Sequence, residues 1–402
     1  MLITNAAVFR NGKIFENTDV RTDDEGRIQE VSSNLKRSRN EPVIEAKGHS
    51  LLPGLIDAHV HISSDGQPTN MDRLQESSLD TTLKAARNAW RNLYAGITTV
   101  RSLGGPAGVE IAISKAVRSG VVMGARVIPA GQVLCITGGH GHLFGREIDG
   151  ADEARKAARE QLKAGAEVIK VIATGGILTA GVNPGQAQLT FEEIKAAVDV
   201  AHAAGKKVAA HAQGTQGIEN AIRAGVDSIE HGIFLTEELI ALMKEKKIYL
   251  VPTLTASKQI LAHGEKDGVP DYAVAKAKEV AAIRQKNIRM AIEAGVKIAF
   301  GTDAGTPFNR HGHNTDELLL LQEYGLTPLQ VLQAATFGSA ENVGLQETIG
   351  RIEPGYAADL LLVAGDVFTD LTNLQTQIQF VCQNGRIIRS PEGPLIPDSI
   401  QS

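Results

Sequence analysis

The run DAHVH places His59 and His61 two residues apart. Side chains at that spacing on an extended strand share a face, so both imidazoles can aim a nitrogen at one point. Two further pairs, His140/His142 and His311/His313, show that the spacing alone is a weak signal. Company strengthens it. The segments VAAH, SIEH and FGTD end short apolar runs on His211, His231 and Asp303. One such residue reads as a hydrogen-bonded rim residue. Four histidines and an aspartate at the ends of four runs read as one cluster, and imidazole with carboxylate suits zinc, manganese, iron or cobalt. Lys170 lies inside another apolar run, EVIKVIA. Burying an ammonium there is expensive, and burial lowers the pKa toward the neutral, nucleophilic amine. Such a lysine either pairs with a carboxylate or has captured carbon dioxide as a carbamate, whose two oxygens can bridge two cations.

These residues need a frame that brings strand ends together. Eight short apolar runs are expected as strands, at 55–62, 98–103, 126–133, 167–173, 207–211, 228–231, 248–252 and 297–302. Stretches of helical period separate them, as at 152–164, 190–204 and 273–294. Gly165, Gly225 and Gly295 follow Lys-Ala, Arg-Ala and Glu-Ala just before a strand, as helix C-caps do. Eight β-then-α units predict a parallel (β/α)8 TIM barrel, whose active sites lie at the C-terminal strand ends. A doubly wound open sheet is the alternative. Both ends of the chain look different. Strands turn at Asn11-Gly12, Glu25-Gly26 and Asn384-Gly385. Residues 1–54 and 346–402 are therefore expected to build one small β-sandwich domain, with the barrel over 55–345.

Bulk composition fits this. The 402 residues carry 41 basic and 46 acidic side chains, a formal net charge of −5, which points away from nucleic acid and anionic membranes as partners. Two cysteines suggest a reducing compartment, and neither a spanning apolar run nor a leader pattern is seen, so a cytoplasmic location is expected. A homo-oligomer is compatible with all of this.

As a set, the segments LLPGLIDAHVHI, AGITTVRSLGG, EVIKVIATGG, VAAHAQG, SIEHG and FGTDAG resemble the amidohydrolase superfamily in its binuclear class. They are similar to the prolidase-like, imidazolonepropionase-related branch of Xaa-Pro dipeptidases and N-acyl amino acid carboxypeptidases. The resemblance spans nearly the whole chain. It implies that His59, His61 and Asp303 hold one divalent ion and His211 and His231 a second, zinc or else manganese, iron or cobalt. Lys170, carboxylated by carbon dioxide, would bridge them together with a hydroxide. It further implies attack of that hydroxide on the amide carbon of a small substrate such as a dipeptide or N-acyl amino acid. Asp303 would serve as general base and then acid.

Substrate contacts are less defined. The loop after the third strand carries His140 and His142, and the resemblance favours His140 as the donor to the substrate carbonyl. Arg101, after the second strand, could hold a carboxylate through its planar fork or make a structural ion pair. Where relatives often read Arg-Asp, this chain has Arg101-Ser102. Arg310, His311, His313 and Asn314 could shape a leaving-group pocket. Asp57 and Glu230 precede ligands on their strands and are expected behind them. Cys135 reads as a small buried residue. Other readings are a mononuclear deaminase or cyclic-amide hydrolase, which lacks the bridging lysine, an ester, lactone or phosphotriester hydrolase, and a non-catalytic scaffold.

Overall fold

The computed structural model describes residues 1–68, 76–391 and 393–394. Its centre is the expected barrel. Leu55–Val60, Ile97–Ser102 and Arg126–Pro129 pair in parallel, and so do Val168–Ile172, Lys207–Ala212, Ser228–His231 and Tyr249–Val251. Two seams join these groups into a ring. At the first, Glu167 N–H donates to the Pro129 carbonyl (2.8 Å), and Val171 pairs with Leu134 in the short strand Leu134–Cys135. The third strand is shorter than the expected 126–133 and stops at Pro129.

The second seam is the expected eighth strand, 297–302, which is no regular strand. It still bonds on both sides. Leu250 N–H reaches Lys297 O (2.8 Å), Ala299 N–H reaches Leu250 O (3.0 Å), and Ala58 N–H reaches Phe300 O (2.8 Å). The ladder is interrupted because Phe300 N–H turns to Ala334 O (3.3 Å) and Ser339 Oγ (3.2 Å) instead. Gly301 sits at this crossing. A Cβ there would stand 2.4 Å from Val251 Cγ1 and 3.0 Å from His59 Cβ, so only glycine lets the seam close beside the first strand.

Amphipathic helices shield the ring. Ala151–Ala164 and Thr215–Ala224 end on Gly165 and Gly225 in the left-handed conformation, as expected. Phe191–Ala203 starts with a reciprocal capping box between Thr190 and Glu193. The long helix Asp271–Glu293 follows the seventh strand.

The two chain ends share one nine-stranded sheet. His49–Pro53 is where they meet, parallel to Leu2–Arg10 and antiparallel to Leu360–Ala364. The sheet curls over itself, so Val8, Val20, Ile28, Leu51, Leu360 and Phe380 from its two halves share one core. Ala358 N–H bonds Gly26 O (2.8 Å) and Gly385 N–H bonds Ala358 O (3.1 Å), tying the outer turns together. This is the small sandwich-like domain, and Gly54 alone separates its strand from the first barrel strand. Both cysteines are buried and unpaired. Among the described residues no helix is long and apolar enough to cross a membrane.

Candidate metal centre

All six expected ligand side chains meet at the C-terminal mouth of the ring and line one cavity. His59 and His61 follow from strand alternation, and their ring centroids lie 5.5 Å apart. Asp303 enters from the eighth position, with Oδ1 3.5 Å from His59 Nε2 and 3.2 Å from His61 Nε2. These three could grip one ion. The His231 ring lies 5.2 Å from His59 and 4.7 Å from His211. Two of the ligands require a backbone that L residues seldom adopt. His231 has φ 73° and Asp303 φ 60°. Both sit where a strand breaks into a loop, and the left-handed turn swings the side chain over the barrel mouth. Such strain persists only where surroundings enforce it.

Hydrogen bonds on the far side of each imidazole fix which nitrogen is free. His59 Nδ1 meets Glu230 Oε2 (2.7 Å), His61 Nδ1 meets Gly104 O (2.8 Å), and His211 Nε2 meets Gly175 O (3.0 Å). Carboxylate and carbonyl oxygens only accept, so each ring must carry its proton there. His231 Nδ1 meets Thr253 Oγ1 (2.7 Å), whose own proton goes to Pro252 O (2.8 Å), so Thr253 accepts as well. Each histidine therefore turns a bare lone pair into the cavity. The His61 Nε2 lone pair faces the Asp303 carboxylate oxygen at 3.2 Å, two acceptors with no proton to share. A cation resolves that contact. The donor set thus fits divalent metal ions.

Charge balance points the same way. Burial, with the nearby Lys170 charge, drives the pKa of His59 well below that of a free imidazole. Burial does the same for His211 and His231. All three are neutral, as ligands must be. Burial opposes ionisation of Asp303, but positive charge placed at His59, His61 and Lys170 outweighs it and holds its pKa low, and a cation held among these neutral rings would act in the same sense. Lys170 is 2% exposed at the centre of the ring, and its Nζ has no hydrogen-bond partner among the described residues. Burial lowers its pKa to about 8. A buried amine without a partner and with a lowered pKa loses its proton more readily, which either an ion pair or carbamate formation has to answer.

Several substrate-contact expectations need correction. Arg101 does not reach the cavity. It is fully buried under the site, where Nη2 holds Glu230 Oε1 (2.9 Å) and Nε donates to Ala58 O (2.6 Å). The strand alternation that lifts His59 to the mouth points Arg101 inward, making it the structural ion pair of the two alternatives. Glu230 connects it to His59 and lies behind the ligands, as expected. His142 folds back onto Gly139 O (2.8 Å) outside the cavity lining. His313 is exposed beside a separate surface cleft with Arg91 and Arg310. His311 and Asn314 bind the rim instead of lining the pocket, through Ser64 O (2.9 Å) and Asp57 Oδ2 (2.7 Å). His140 does line the cavity, its ring 4.5 Å from that of His211.

Sequence reading missed Thr253, Thr179, Arg284 and Glu317. Thr253, itself left-handed at φ 50°, orients His231. Arg284 Nη2 grips the Pro252 (3.0 Å) and Thr253 (2.6 Å) carbonyls from one side. Glu317 accepts the Leu254 (2.8 Å) and Thr255 (2.7 Å) N–H groups from the other. No local pattern signals these partners, because each arrives from an element far along the chain. Much of the remaining cavity wall is apolar, with Val133, Ile172, Ile177, Leu178, Ile233 and Ile260, while Gln213, Ser257, Arg284 and Thr306 add polar groups.

Known proteins resemble this chain in sequence and in fold. The model of the Amidohydrolase family matches residues 50–389. Ochratoxinase of Aspergillus niger is 33% identical over 373 residues, covering 85% of this chain and 76% of that protein. A Xaa-Pro dipeptidase solved with methionine in its active site superposes with a TM-score of 0.90 at 31% identity, covering 97% of this chain and 99% of the other. A prolidase complexed with N-methylphosphonate-L-proline also gives 0.90, at 30% identity and the same coverage.

Proposed function

Because this chain belongs to the amidohydrolase family, we propose that it hydrolyses the amide bond of a dipeptide or N-acyl amino acid with two divalent cations. His59, His61 and Asp303 would hold one cation, His211 and His231 the other, and carboxylated Lys170 would join them. The observation that carries this reading is the unpartnered Lys170 Nζ at the centre of four histidines with inward lone pairs. The similarity to a Xaa-Pro dipeptidase and to ochratoxinase supports a peptide-like bond as target.

When bound, the cations supply an acidified water and polarise the scissile carbonyl. The chain's own groups do the rest. Asp303, ionised at neutral pH, takes a proton from the attacking water and delivers it to the leaving nitrogen. His140 lines the same cavity beside His211, where a ring N–H can steady the developing oxyanion. The apolar wall excludes water and selects apolar substituents. Asp303 is the only carboxylate among the described lining residues, so a basic substrate side chain would find no counter-charge.

The test combines metal analysis with a library of N-acyl amino acids and dipeptides. Two ions per chain are expected, with release of residues bearing apolar side chains. Replacing Lys170 by Ala should remove most turnover. One ion per chain with full activity on a heterocyclic amine, or undiminished turnover of Lys170→Ala, would sink the proposal.

A further inference from the structure

The loop after the fourth barrel strand covers one side of the cavity and carries Ile177, Leu178 and Thr179 in its wall. Its backbone is held from outside by the helix Asp271–Glu293. Lys276 Nζ donates to the carbonyls of Thr179 (2.7 Å), Val182 (2.5 Å) and Gly176 (3.4 Å). An ammonium has three protons, and this one spends all three on a single turn. Lys276 makes no ion pair among the described residues. One turn earlier on the helix, Tyr272 OH donates to Leu178 O (3.3 Å).

The pinned turn presents Thr179 Oγ1 to His140 Nδ1 at 2.7 Å. The His140 ring also lies flat on Gly176, where a Cβ would be 2.5 Å from Cε1 and Nε2. Gln188, further along the same loop, accepts the His140 N–H (3.0 Å). His140 is thus positioned by this loop as much as by its own. Among the described residues no second acceptor competes for the Thr179 hydroxyl proton, and a hydroxyl that donates to Nδ1 leaves the imidazole proton on Nε2.

We propose that Thr179, strapped in place by Lys276, is the positioning residue that makes His140 a hydrogen-bond donor toward the substrate oxygen. This rests on the reading of His140 as the substrate contact. It assigns the donor's tautomer to a partner on a different loop and the partner's position to a lysine on the far side of that loop.

The test uses the metal-loaded enzyme with Thr179→Val, Thr179→Ser, Lys276→Met and His140→Ala. Thr179→Val should lower kcat at least about tenfold, up to the roughly 100- to 1000-fold expected for losing an oxyanion donor, with KM within about twofold. Thr179→Ser should restore kcat. Lys276→Met should lower kcat in the same direction and add little in the Thr179→Val background. Metal content should match wild type in all of them. Nitrogen-15 spectra of the histidine side chains should show the His140 proton on Nε2 in wild type and Thr179→Ser, and a mixed tautomer in Thr179→Val. Wild-type kcat in Thr179→Val alongside an inactive His140→Ala would overturn the inference and leave the function standing. Lost metal in Thr179→Val, or wild-type kcat in Lys276→Met, would overturn it too. Full activity of His140→Ala would instead remove the substrate contact on which it rests.

Discussion

Lys170 joins structure to chemistry at the scale of a single side chain. Its pKa is about 8 in the folded chain against 10.5 for an ordinary lysine, and burial is the largest cause. Between those values the unfolded chain binds the extra proton, so stability of the metal-free protein rises with pH across that window. Relative to Lys170→Met, the metal-free wild type should gain on the order of 3 kcal/mol between pH 8 and 10.5. At neutral pH the methionine variant should be the more stable. Urea unfolding of both proteins at the two pH values measures this, and a constant difference would refute it. Single residues also show what was legible in sequence. His59 and His61 were, because a period of two and a strand end coincide. Lys170 was, because an ammonium in an apolar strand needs a reason. Arg101 was not, since sequence shows its place near the rim but not the Glu230 waiting beneath it.

At the scale of elements, the site is a set of strand ends bent into place by loops, and the loops were the illegible part. The interval 297–303 shows why. The apolar run there was evident, yet the left-handed turn at Asp303 and the diversion of Phe300 N–H to Ala334 depend on contacts with distant segments. Loop support makes two outcomes measurable. Gly176→Ala would place a methyl group inside the His140 ring contact, so kcat should fall about tenfold or more while bound metal stays unchanged. Arg284→Met would release the Pro252 and Thr253 carbonyls and with them the strained turn that orients His231. Metal affinity should drop about 10- to 100-fold, read by chelator competition. Unchanged affinity would show that Glu317 alone holds that turn.

At the scale of the whole molecule, contacts between barrel and terminal sheet predict that the two unfold as one cooperative object. Leu361, fully buried in the sheet, stands where a Cβ on Gly96 would be 2.8 Å from its Cδ1, so the sheet packs directly on the turn before the second barrel strand. Arg126 adds a bond to Asp359 (2.8 Å) and another to Asn384 (2.8 Å). Leu361→Ala should cost about 2–5 kcal/mol. Fluorescence of Trp90, the only tryptophan, reports from a barrel helix and should shift together with far-ultraviolet dichroism. Separate transitions would show two independent units. The shared sheet also sets a timetable. His49–Pro53 leaves the ribosome early, but its neighbour Leu360–Ala364 follows only after roughly 300 further residues. At about 5–20 residues per second, that edge waits some 15–60 s for its partner. Through that interval the nascent chain carries an apolar strand with one side unpaired, just ahead of the two histidines it must later hold still.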